Sequence, residues 1–216
     1  MIAFLLLAMQ VCDNRWATLL ACPKVSAPGM GDGSGVVIGQ KDGFAYMLTA
    51  AHVAQSGLVE LKFTSRANYP KPAWFGDGAE VIGRWPDPDF ALIRFPIRDR
   101  VVSILPLAPA WERPKVFPVN ALSVGIGGGQ ASTAMQNQVV GKEFVRRTGR
   151  ESAFFWQTAV PPEAGRSGGP LLDSQGRVIG VAVAYRGKVG YYAHHDEILA
   201  ALKRDGFGWL VPAIKP

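Results

Sequence analysis

The sequence predicts an all-β fold, two antiparallel strand sets followed by a short C-terminal helix. Three observations lead there. First, 25 glycines and 16 prolines punctuate short apolar runs, the pattern of brief strands joined by turns. Second, those runs fall into two groups on either side of residues 97–118. That stretch holds Pro106, Pro109, Pro114 and Pro118 and little periodicity, so it reads as a crossover between two half-barrels. Third, the one clear helical pattern comes near the end, where Ile198, Leu199 and Leu202 share a face. A chain of 216 residues is long enough for one sizeable core, and β-barrel domains of this length are ordinary.

Taken in order, Gly31-Asp32-Gly33-Ser34-Gly35 reads as a turn ahead of a strand over 36–38. Gly43 closes a second turn, and residues 44–49 form the pairing partner. Residues 50–54 suit a single helical turn. Further strands are expected over 58–63, 80–84 and 90–95. The last is approached by Trp85-Pro86-Asp87-Pro88, where each proline pushes its predecessor toward extended backbone. The second set is expected over 121–126, 138–143, 152–158, 169–172, 177–185 and 189–193. Asp173-Ser174-Gln175-Gly176 supplies a turn with glycine at its end, and a helix is expected over 197–204.

Composition excludes several classes. Hydrophobic content of 48% and charged content of 19% argue for a packed globule and against disorder. The formal net charge is +6. Its densest cluster, Lys142, Arg146, Arg147 and Arg150, looks like a hairpin tip, and nothing around it resembles a nucleic-acid module. His52, His194 and His195 do not combine with cysteines into a metal-ligand pattern, so no metal or cofactor is expected.

Two strings carry chemistry: Leu48-Thr49-Ala50-Ala51-His52-Val53 and Gly165-Arg166-Ser167-Gly168-Gly169-Pro170-Leu171. A serine hydroxyl is a weak nucleophile until a base removes its proton. Glycines on both sides of Ser167 allow a sharp turn whose N–H groups can face a developing oxyanion. His52 is the candidate base, and a carboxylate is needed to hold its ring in one tautomer. Asp87-Pro88-Asp89-Phe90-Ala91-Leu92-Ile93 offers two. Asp89 is preferred because it abuts the apolar strand, whereas Asp87 sits between prolines. The chain order His52, Asp89, Ser167 is that of chymotrypsin and not of subtilisin or the α/β-hydrolases. His194 and His195 read as solvent-facing or capping residues beside the helix.

These strings resemble those of the trypsin-like serine peptidases, most closely the bacterial high-temperature-requirement (Deg) branch without a PDZ domain. Gly33-Ser34-Gly35-Val36-Val37-Ile38-Gly39 belongs to the match. So does Gln157-Thr158, since a Gln-Thr pair stands ten residues before the serine in that branch, as Gln157 does here. The likeness covers about residues 31–205. It implies two six-stranded antiparallel barrels of the chymotrypsin type, roughly 31–110 and 115–195, inside a peptidase domain spanning 31–210. His52 and Asp89 would come from the first barrel and Ser167 from the second.

The resemblance also implies a serine endopeptidase acting on polypeptides, with Gly165 and Ser167 supplying the oxyanion N–H groups. Pro161 would stand at the base of the specificity pocket, with Val183 and Tyr185 on its wall, which predicts cleavage after small or medium aliphatic residues. Glu163 is the competing feature, should its carboxylate turn into that pocket. Arg166 departs from the Asn or Asp common at its position. An envelope peptidase, an intracellular regulatory peptidase and a catalytically silent binding module all remain readings, since fold alone does not license function.

The N-terminus has two readings. Residues 2–9 are apolar like a signal-peptide core, but no Lys or Arg precedes them, and they are too short to span a membrane. The alternative is a strand or short helix within 2–22 packed on the barrel. Secretion or the cell envelope is slightly favoured over the cytoplasm. Cys12 and Cys22 could pair only in an oxidising compartment. The twelve residues after the helix are too few for a PDZ domain.

Overall fold

The computed structural model describes residues 15–29, 31–129, 131–146 and 151–213. The apolar run 2–9, Cys12, Arg147 and Arg150 lie outside the described residues. Thirteen strands are ordered along the described chain: β1 (Lys24–Ala27), β2 (Gly31–Lys41), β3 (Phe44–Ala50), β4 (Glu60–Thr64), β5 (Pro72–Phe75), β6 (Glu80–Trp85) and β7 (Phe90–Pro96) come first. After the crossover come β8 (Val119–Gly125), β9 (Thr133–Val145), β10 (Ala153–Thr158), β11 (Pro170–Leu172), β12 (Val178–Arg186) and β13 (Val189–His194). One helix, His195–Arg204, follows.

The second set closes into a six-stranded barrel in the order β10-β13-β12-β11-β8-β9. The first is a sheet of seven strands, β5-β4-β1-β2-β3-β7-β6. The seventh arises because β5 hangs outside β4 as its hairpin partner. A single bridge from Leu58 to Glu80 brings the chain ahead of β4 against β6. Strand pairing is antiparallel throughout both sets.

Side-chain alternation explains the continuous apolar run of β7. Ile93 and Phe95 face the interior of the first sheet with Val37, Met47, Leu61 and Phe63. Phe90 and Leu92 face the other way, into a core shared with Val124, Phe155, Val181 and Leu199 of the second half. A strand buried on both faces loses the polar alternation of a half-exposed one. The shared core fixes the two halves against each other, and so does the crossover. Leu105 N–H donates to Val37 O in the first half, and Ala108 N–H to Val178 O in the second.

Residues 15–20 are helical, and Leu19, Ala21 and Cys22 enter the shared core. Burial pushes the Cys22 thiol pKa up. Among the described residues, no helix is long and apolar enough to cross a membrane.

The C-terminal helix begins two residues earlier than the apolar pattern suggests. His194 is its N-cap, with Nδ1 accepting from Asp196 N–H at 3.0 Å. Asp196 and Glu197 in the first turn and Lys203 and Arg204 in the last complement the helix dipole. Capping is therefore right for His194, but solvent exposure is not: both His194 and His195 are fully buried. The ring of His194 packs 3.9 Å from that of Trp156, and His195 Nε2 bonds Ala108 O. Apolar neighbours from the distant residues 108 and 156 bury them, and no local pattern announces that.

Candidate active site

The site forms where three chain segments meet. At the end of β3 the backbone turns once: Val53 and Ala54 N–H both donate to Ala50 O. His52 therefore stands at a helical corner, its side chain 43% exposed. Asp89, only 7% exposed, sits just before β7 with φ of 62°, a left-handed conformation that aspartate tolerates better than most residues. That conformation directs both carboxylate oxygens at one residue. His52 N–H donates to Oδ1 at 3.0 Å, and His52 Nδ1 lies 2.9 Å from Oδ2. A carboxylate can only accept, so Nδ1 carries the proton and Nε2 is left with a lone pair. Asp87, the competing carboxylate, accepts from Glu151 N–H instead.

Ser167 lies on the turn between β10 and β11. Gly165 and Gly168 flank it with φ of 89° and 88°, where a side chain would be strained. Space forbids one as well: a Cβ on Gly165 would lie 2.3 Å from Ile126 O, and one on Gly168 would lie 2.1 Å from Ser34 O. Gly168 N–H donates to Ala182 O, and Ala182 N–H to Gly169 O, fastening the turn to β12. Neither Gly165 nor Ser167 N–H bonds a described residue. Among the described residues, no hydrogen bond joins Ser167 Oγ to His52. Such contacts commonly tighten only when substrate is bound.

What fixes Ser167 relative to His52 is Ser34, whose role the sequence does not announce. It is fully buried in the first half of β2. Its Oγ donates to Gly165 O at 2.7 Å and accepts from Ile126 N–H at 2.8 Å. Its N–H donates to Ser167 O at 2.7 Å, and its carbonyl accepts from Thr49 Oγ1 at 2.7 Å. One residue thus joins the serine turn, the end of β8 and the strand leading to His52. The available signal was its place in the Gly33-Ser34-Gly35 string, which gave it no partner.

Of the expected pocket residues, Pro161 and Tyr185 both adjoin Gly190, Tyr185 as its strand partner. Pro161 is half-buried, and its loop closes over Gly190, where a Cβ would lie 2.8 Å from Pro162 Cδ and 3.1 Å from Pro161 Cα. Val183 is buried in the shared core. Tyr185 is 65% exposed at the end of β12. Glu163 directs Oε2 to within 3.7 Å of Arg166 Nε. Gln157 Nε2 donates to Glu143 Oε2 at 2.6 Å. The Tyr191 hydroxyl, then Arg186, hold the Glu143 carboxyl below its ordinary range.

The fold is shared with solved structures. The Rv3671c protease of M. tuberculosis in its active form superposes with a TM-score of 0.69 at 22% identity, covering 93% of this chain and 84% of that one. Deg5 superposes with a TM-score of 0.70 at 21% identity, covering 95% and 97%. No curated protein matches the chain by sequence. The family model of the trypsin-like peptidase domain matches residues 33–181. With that match over most of its length, the chain belongs to the trypsin-like peptidase family.

Proposed function

We propose that the protein is a serine endopeptidase that works through a His52–Asp89–Ser167 triad and an acyl-enzyme. The observation that carries this reading is the paired contact of Asp89 with both the backbone and the ring of His52, beside a serine turn tied to the same strands through Ser34.

Ser167 Oγ attacks a peptide carbonyl carbon while His52 Nε2 takes the hydroxyl proton. Asp89 orients the ring and stabilises the imidazolium. The Gly165 and Ser167 N–H groups receive the oxyanion, each such donor being worth about 3 kcal/mol in the transition state. His52 then returns the proton to the leaving amine as the C–N bond breaks. A water, deprotonated by the same nitrogen, hydrolyses the ester and releases Ser167. No step requires a metal or organic cofactor.

The substrate reading is cleavage after small or medium aliphatic residues. Pro161 offers no charge, and Glu163 is paired with Arg166, so a buried Lys or Arg side chain would lack a carboxylate partner. Profiling a peptide library with the wild type and Ser167→Ala tests both parts. Cleavage after Ala or Val that vanishes in the variant is expected. Undiminished hydrolysis by the variant would remove the nucleophile assignment, and dominant cleavage after Lys or Arg would overturn the pocket reading.

A further inference from the structure

The residue before the nucleophile is a buried cation. Arg166 is only 3% exposed, and a charge at that depth is costly unless it is paired and hydrogen-bonded. Its guanidinium reaches three ways. Nη1 donates to Thr133 O at 3.2 Å and Ser123 O at 3.4 Å. Nη2 donates to Thr133 Oγ1 at 2.6 Å. Nε makes no hydrogen bond and faces Glu163 Oε2 at 3.7 Å. Arg166 N–H also donates to Glu163 O at 3.0 Å, closing a turn, and Gly128 N–H holds the next carbonyl, Ala164 O.

The end of β8 and the segment after it are shaped around this pair. A Cβ on Gly125 would lie 3.3 Å from Arg166 Cα and Cγ. A Cβ on Gly127 would lie 2.0 Å from Glu163 Oε2 and 3.1 Å from Arg166 Nε. The guanidinium therefore pins the loop carrying Gly165 and Ser167 to β8 and β9 at one end, and to the loop's own Glu163 at the other.

We infer that Arg166 and Glu163 form an ion-pair latch that positions the Gly165–Ser167 turn for acyl transfer. The two are positioning residues acting through the turn, and the inference rests on the peptidase reading for its effect on rate. Because Glu163 is largely solvent-exposed, the latch can be opened without disturbing the core. With one partner in solvent the pair contributes modestly, so Glu163→Gln is expected to lower kcat about fivefold with KM within twofold. Gly127→Ala should do the same by displacing the carboxylate, and its effect should shrink in a Glu163→Ala background, where only the 3.1 Å approach to Arg166 Nε remains.

Amide hydrogen exchange of the peptide spanning 160–169 gives a readout independent of catalysis. It should quicken in Glu163→Gln and Gly127→Ala while the melting temperature falls by no more than a few degrees, since Arg166 keeps its hydrogen bonds to Ser123 and Thr133. Unchanged kcat and unchanged exchange in Glu163→Gln would overturn the latch, as would a full Gly127→Ala effect in the Glu163→Ala background. Faster exchange in the two variants, together with a wild type that fails to cleave peptides, would keep the latch and sink the peptidase reading instead.

Discussion

Asp89→Asn separates the role of the carboxylate from its shape. Asparagine tolerates the left-handed backbone that residue 89 adopts. Its carbonyl can still accept from His52 N–H, which turns the amide NH2 toward Nδ1. That amide donates, so the ring must carry its proton on Nε2, where it can no longer take one from Ser167. The expected outcome is a kcat about 10⁴-fold lower with an unchanged melting temperature, read by peptide hydrolysis and calorimetry. A loss of less than tenfold would leave Asp89 a structural residue. The turns that carry His52, Asp89 and Ser167 were legible because each stands in a short string whose neighbours shape it, and the structure pairs Asp89 with His52. Ser34 and Arg166 were not legible. Their partners lie far along the chain, Ile126 being 92 residues from Ser34 and Thr133 being 33 from Arg166.

Among the elements, the C-terminal helix carries a titratable cap. His194 Nδ1 accepts from Asp196 N–H, so a second ring proton would land on the capping atom. Burial, with Lys142 and His195 nearby, lowers the His194 pKa to about 3, and burial also lowers that of His195. The unfolded chain then binds more protons than the folded one between about 6.5 and about 3. The stability this neutral form gives is complete above the upper limit and is lost as pH falls through the window, by about 1.4 kcal/mol per pH unit for one histidine. His194→Asn keeps a capping acceptor and removes the titration. Its unfolding free energy should fall less between pH 7 and pH 5 than that of the wild type. Parallel slopes from denaturant melts would contradict this account.

Strand lengths were less legible than strand existence. Residues 31–35 read as a turn because of their glycines but belong to β2, where Gly33 and Gly35 admit the close approach of Val53 and Met47. β9 runs Thr133–Val145, well beyond the six residues its pattern suggested, because pairing with β8 and β10 extends through polar positions that face solvent. β1 and β5 escaped notice, each being four residues long with a lysine or proline at its start.

For the whole molecule, the two halves are one object. Val36, Leu48, Phe90 and Leu92 of the first share a core with Val124, Phe155, Val181 and Val183 of the second, and Ser34 spans the seam at the site itself. The sequence announced two strand sets and a proline-rich crossover. It could not announce that the crossover is hydrogen-bonded to both sides, whereas a short helix packed on the barrel within residues 2–22 was one of its two readings, and residues 15–20 are helical with Leu19 in the shared core. Activation of Ser167 at this seam is put to the test by mass spectrometry of the intact protein after exposure to a fluorophosphonate. One adduct per chain is expected, mapping to Ser167, absent in Ser167→Ala and strongly slowed in His52→Ala although both variants remain folded. An unlabelled wild type, or an adduct on another residue that persists in Ser167→Ala, would contradict it.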